Sequence, residues 1–197
     1  MVQRVAIVGL GLIGGSLGLA LVPSRGIKVT GYDWDLATMD RALKMGAVHQ
    51  VGELHQVVAE ADIVFLCTPI NTIAKMAREI IKFCRPGSVL TDVGSTKQGI
   101  VEVFDDFSQY GVWGIGGHPM AGSERQGIAG ADQYLFENAV YILTPGRNSP
   151  ATAIEKLSSL LRLTGAHIII MDAKKHDHLV ALVSHLPHLV ASALVAM

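Results

Sequence analysis

The stretch "VAIVGLGLIGGS", residues 5–16, constrains the fold of this chain more than any other. A β-branched apolar run stops at Gly9, and a helical apolar pattern resumes straight after Gly11. Between them Gly9, Gly11 and Gly14 fall in a G-x-G-x-x-G arrangement. Gly9 permits a tight turn, Gly11 lets backbone approach a diphosphate, and Gly14 lets a helix pack on a strand. The N–H groups at the helix start, around Leu12 and Ile13, are then free to meet phosphate oxygens. The next extended run, "VTGYDWD", places Asp33 about 20 residues past the last glycine, where a carboxylate accepts the hydroxyls of an adenosine ribose. No arginine follows Asp33 to hold a 2′-phosphate. The expected ligand is therefore NAD, with NADP possible.

Residues 5–24 carry no charge and have the length of a membrane span or signal core. Gly9, Gly11, Gly14, Gly15 and Gly18 argue for strand, turn and helix instead.

The rest of the chain alternates in the same way. Apolar runs at 28–32, 63–67, 88–93, 112–116, 139–143 and 167–171 read as strands, with a short extended piece at 47–50. Helical patterns fall at 13–22, 36–45, 54–59, 73–83, 97–106, 131–137 and 151–163. Continuous rather than alternating hydrophobic strands fit a sheet covered on both faces. The expected fold is α/β, a Rossmann-type doubly wound, mostly parallel sheet over residues 1–171.

From Asp172 the texture changes. Residues 172–197 read as helix, with Pro187 as a kink or boundary, and after Asp177 they carry no charge. A helix apolar all round must be buried against something. The run is expected to begin an all-α domain whose remainder lies beyond the chain. His178, Ser184, His185 and His188 make a membrane span a poorer reading.

Charge removes other classes. With 16 basic and 17 acidic residues, a net charge of −1 and no basic block, a nucleic-acid or anionic-membrane partner is not expected. Cys67 and Cys84 lack C-x-x-C spacing, which fits a reducing cytoplasm and no disulfide framework. His176, Asp177, His178 and His185 lack the H-E-x-x-H spacing, so no metal is expected.

Ligands of such sheets bind at the carboxyl ends of the strands. Those ends carry "CTPI" with Thr68 and Pro69, "DVGSTKQG" with Ser95, and "GGHPMAGSE" with His118 and Glu124. A histidine on that rim is better placed for chemistry than for packing, because a neutral imidazole suits proton abstraction near pH 7. Ser95 also reads as an N-cap for the helix that follows, and Glu124 equally as a solvated partner of Arg125.

These loops, in this order behind "GLGLIGGS" and with "SHLPH" at 184–188, resemble the prephenate/arogenate dehydrogenase family. The resemblance covers the whole chain. It implies a nucleotide-binding domain followed by a helical domain that forms a homodimer. It also implies an NAD(P)-dependent oxidative decarboxylation of prephenate or arogenate, with His118 as base and Ser95 bonding the substrate hydroxyl and the nicotinamide. By the same resemblance Glu124 and His185 contact the substrate. The family's arginine for the substrate carboxylate would lie beyond residue 197. Two other readings stay open: a β-hydroxyacid dehydrogenase, and a catalytically silent NAD-binding fragment.

Overall fold

Apolar side chains occupy both faces of the central strands, so these strands need cover on two sides, and helices above and below one sheet supply it. The computed structural model describes residues 2–195; Met1 and residues 196 and 197, the end of the apolar C-terminal run, lie outside the described residues. The strands are β1 (Gln3–Val8), β2 (Ile27–Tyr32), β3 (Gln50–Val51), β4 (Ile63–Leu66), β5 (Val89–Asp92), β6 (Trp113–Pro119), β7 (Val140–Pro145) and β8 (His167–Ile170). They form one sheet in the order β3-β2-β1-β4-β5-β6-β7-β8. Only the β6–β7 pair is antiparallel; the others run parallel.

The helices are α1 (Leu12–Leu21), α2 (Leu36–Lys44), α3 (Leu54–Ala59), α4 (Ile70–Ile80), α5 (Gln98–Phe104) and α6 (Ala151–Arg162), followed by α7 (Ala173–Val180) and α8 (Leu186–Val195). Two cores result. Val5 and Ile7 of β1 face Leu17 and Leu21 of α1 and Leu157 and Leu160 of α6 in one cluster. Ala6 and Val8 of the same strand face Val58 of α3, Ile73 and Ile80 of α4 and Phe104 of α5 in the other. Each fully buried aliphatic side chain contributes roughly 1.5–3 kcal/mol, so both cores matter to stability. This is the doubly wound Rossmann-like architecture, with the topological switch between β1 and β4.

Two expectations need correction. The strand expected at 112–116 runs on through His118 to Pro119, because its far end pairs with β7: His118 lies opposite Ile142 and Pro119 opposite Tyr141. The helix expected at 131–137 is a series of turns after a short 3-10 segment, Ile128–Gly130. The turns are held locally, with the Asp132 carboxylate accepting the Tyr134 N–H at 2.9 Å. The glycines ahead of His118 serve close packing. A Cβ on Gly114 would strike Phe104, one on Gly116 would strike Thr144, and one on Gly117 would strike the Asp92 carbonyl. They let α5, β7 and the end of β5 lie tight against β6.

The C-terminal helix is irregular where proline predicts it. A π-helical turn, Ala181–His185, separates α7 from α8. It stands just ahead of Pro187, whose ring nitrogen has no hydrogen to give the preceding turn. Ala173–Val195 is long and apolar enough to cross a membrane by length and composition. Leu182, Val183, Leu186, Leu189, Val190 and Leu194 are all exposed along it.

Candidate active site

The glycine turn closes the first wall of the site. Gly9 has a φ of +95°, and a Cβ there would sit 2.6 Å from the Cys67 carbonyl oxygen. A Cβ on Gly14 would strike the Gly9 carbonyl. Gly11 differs: its φ of −70° suits any residue, and an added Cβ would meet nothing within 4 Å. Neither backbone nor packing accounts for glycine there, whereas a ligand lying against the turn would. Gly11 caps α1 without a side-chain hydrogen bond, leaving the N–H groups of Leu12 and Ile13 for an anion.

Asp33, at the end of β2, braces this turn. Its Oδ2 accepts the Leu10 N–H at 2.7 Å and its Oδ1 the Asp35 N–H at 3.0 Å. A carboxylate has lone pairs left after two such bonds, so ribose hydroxyls can still be accepted. Across the switch point Pro69 caps α4, and the Thr68 hydroxyl beside it is buried without a partner. The residues present thus fit a dinucleotide lying across the ends of β1, β2 and β4.

The second wall is a cleft of about 330 Å³ lined by Ser95, His118, Pro119, Met120, Ser184 and His185 among others. Three residues singled out from sequence, Ser95, His118 and His185, therefore share one cavity. Glu124 is exposed on the loop beyond β6, outside that lining, with no ion pair to Arg125. Ser95 does not cap α5. Lys97 is its cap residue, and the Lys97 and Gln98 N–H groups donate to Asp177 Oδ1 and Oδ2 at 2.7 and 2.9 Å. The cap arrives from α7, some eighty residues away in sequence.

His118 is buried at the end of β6, and its ring Nδ1 lies 2.8 Å from Nε2 of His176. His176, fully buried on α7, places its own Nδ1 2.7 Å from Asp177 Oδ1. Burial first, then His176, Lys97 and His185, pull the His118 imidazole down to about 4, with Asp177 pulling the other way. The imidazole is neutral at pH 7 and able to take a proton. Burial pushes the Asp177 carboxyl up, but the Gln98 N–H, His176 and the Lys97 N–H outweigh it and hold the group below its ordinary value.

Sequence reasoning missed this partnership. It weighed His176 and Asp177 only as metal ligands. The adjacent His-Asp pair was the available signal, but its meaning depends on where β6 and α7 meet.

Beneath His118 lies a buried ion pair. Lys97 Nζ contacts Asp92 Oδ2 and donates to the Gly117 carbonyl at 2.7 Å. Asp92 also accepts the Gly117 N–H at 3.1 Å and the Gly94 N–H at 2.7 Å. Burial drives the lysine down and the aspartate up, and each partner's charge opposes that drift. Such a pair is strongly coupled: removing one partner from a buried pair costs about 3–5 kcal/mol. Here it clamps the residue before His118 to the loop carrying Ser95.

Comparison with known proteins points one way. The family described as "Prephenate dehydrogenase, nucleotide-binding domain" matches residues 18–170, and "Prephenate dehydrogenase, dimerization domain" matches residues 172–197. The prephenate dehydrogenase of Bacillus subtilis (strain 168) is 39% identical over 198 residues, covering 99% of this chain and 53% of that protein. The crystal structure of Synechocystis arogenate dehydrogenase superposes with a TM-score of 0.89 at 37% identity, covering 98% of this chain and 68% of that one. Prephenate dehydrogenase from A. aeolicus, solved with hydroxyphenyl propionate and NAD+, also gives 0.89, at 29% identity, covering 100% of this chain and 69% of that one. The chain thus spans about half the length of curated relatives such as the Bacillus protein.

Proposed function

The chain belongs to the prephenate dehydrogenase family, and from that premise we propose that it is the NAD(P)-dependent catalyst of oxidative decarboxylation of prephenate or arogenate. Residues 1–171 form the dinucleotide-binding domain in this reading, and residues 172–197 belong to the helical, dimer-forming domain. The observation that carries it is the neutral, buried His118 in one cleft with Ser95 and His185.

The residues divide the work as follows. Gly9, Gly11 and Gly14 with the Leu12 and Ile13 N–H groups hold the diphosphate, and Asp33 holds the ribose. Thr68 and Pro69 border the nicotinamide side. NAD is preferred, since Trp34 rather than arginine follows Asp33. The cofactor, when bound, takes up the hydride from the ring carbon bearing the 4-hydroxyl.

Ser95 bonds that hydroxyl and fixes its angle to the nicotinamide. His118 takes the hydroxyl proton as the carbon is oxidised. The ring carboxylate then leaves as carbon dioxide, its bonding pair aromatises the ring, and His118 returns the proton to the phenolic oxygen. The product is 4-hydroxyphenylpyruvate from prephenate or tyrosine from arogenate. His185 meets the substrate from the helical side, and Glu124, from the loop beyond the cleft, its side chain. The enzyme works in the cytoplasm as a homodimer.

The test is turnover of prephenate and arogenate, each with NAD and NADP. His118→Asn is expected to lower kcat roughly 10²- to 10⁴-fold, the worth of a general base, while NAD binding by calorimetry is retained. Undiminished turnover in that variant overturns the assignment of His118. Oxidation of 3-hydroxyacids in place of prephenate and arogenate overturns the substrate class.

A further inference from the structure

We propose that His176 and Asp177 are positioning residues that fix the tautomer of His118, holding its proton on Nδ1 and leaving Nε2 bare toward the cleft. The inference deepens the proposed function, since it rests on His118 being the base.

The hydrogen-bond chain dictates the direction. Asp177 already accepts two backbone N–H groups, from Lys97 and Gln98, so its carboxylate has acceptor capacity only for what remains. The 2.7 Å contact with His176 Nδ1 therefore places a hydrogen on that nitrogen. A neutral imidazole has one hydrogen, which leaves His176 Nε2 as an acceptor. The 2.8 Å contact with His118 Nδ1 then places the His118 hydrogen there. His118 Nε2 becomes the lone-pair nitrogen, with no partner among the described residues, in the wall of the cleft that also holds Ser95 and His185.

A base with its proton on the wrong nitrogen cannot accept a hydroxyl proton, so tautomer control is a catalytic requirement. The two ring planes stand 68° apart with 5.0 Å between centroids, and their closest polar contact is the 2.8 Å Nδ1–Nε2 pair. The charged and titratable groups facing His118 are His176 and Asp177 on α7, His185 in the π turn, and Lys97. The Lys97 ammonium is engaged by Asp92 and the Gly117 carbonyl, which leaves the imidazole chain with Asp177 as its only anion.

The experiment is long-range ¹H–¹⁵N correlation of the histidine rings at pH 7, without substrate or cofactor, with His118→Asn used to assign the His118 signals. The expected result is His118 and His176 both neutral and both protonated on Nδ1. His176→Phe keeps the ring volume and removes the acceptor, so the His118 proton should redistribute to Nε2. His176→Gln, whose side-chain carbonyl can accept the same hydrogen, should restore the Nδ1 form. In turnover, His176→Phe should lower kcat at least 10-fold with the KM for NAD unchanged, and His176→Gln should recover most of the loss.

Should His176→Phe not fold, Asp177→Asn, whose single amide oxygen cannot serve three N–H donors, gives the same readout. A wild-type His118 protonated on Nε2, a charged His176, or a His118 tautomer indifferent to both variants overturns the proposal. The ring spectra need no reaction. A fixed tautomer without His118-dependent turnover refutes the proposed function alone, and His118-dependent turnover with an unfixed tautomer refutes the positioning alone.

Discussion

At the scale of single residues, His118 shows how burial shifts the titration of an ordinary side chain. An imidazole held down to about 4 in the fold, against about 6.5 when free, binds fewer protons folded than unfolded between those values. Its contribution to stability is complete above pH 6.5 and is lost as pH falls through the window toward 4. Urea titrations of the wild type from pH 7 to pH 4 should therefore show falling stability, and His118→Asn should flatten that slope. An equal slope in both proteins would mean the burial does not set the titration. His118 itself could be picked from its glycine-proline surroundings at a strand end. Its partners could not, because His176 and Asp177 stand about sixty residues on and carry no local mark of the strand they meet.

At the scale of elements, the strand-turn-helix unit at the N-terminus was legible because each requirement is local. The apolar strand, the three glycines and the carboxylate of Asp33 follow from backbone clearance and helix-end chemistry. The two outer glycines and the middle one predict opposite behaviour. Gly14→Ala pushes a methyl group into the Gly9 carbonyl, so it should lower Tm by several degrees, at about 4–8 °C per kcal/mol for a small domain and less for a larger one. Gly11→Val puts its side chain into open space, so Tm should hold while the Kd for NAD rises at least 10-fold. A Gly11→Val protein that binds NAD normally would separate the turn from the ligand. Other elements were misread for physical reasons. The end of β6 looks like loop in sequence, since its glycines serve close packing and its pairing partner β7 comes over twenty residues later. A neighbouring serine also read as the cap of α5 because local capping is the rule, whereas here a carboxylate from α7 fills the place.

At the scale of the whole molecule, the exposed side chains of Leu182, Leu186, Leu189, Val190 and Leu194 form far more apolar surface than a lone helix keeps in water. With the dimerization-domain match over residues 172–197, this surface is expected to be buried between two copies. Light scattering should give twice the chain mass, and Leu186→Glu with Leu189→Glu should give a monomer whose NAD affinity is unchanged. A wild-type monomer at micromolar concentration would rule out self-association through this face. The bond between Asp177 and the start of α5 adds a consequence for motion. One carboxylate holds α7 against the loop that presents Ser95 and bonds His176, which in turn contacts His118. Any swing of the helical segment away from the sheet would uncap a helix and release His118 together. If His118 is the base proposed above, the chain works in this respect like a key that must be fully seated before the lock turns: proton transfer would be armed only while both halves are engaged.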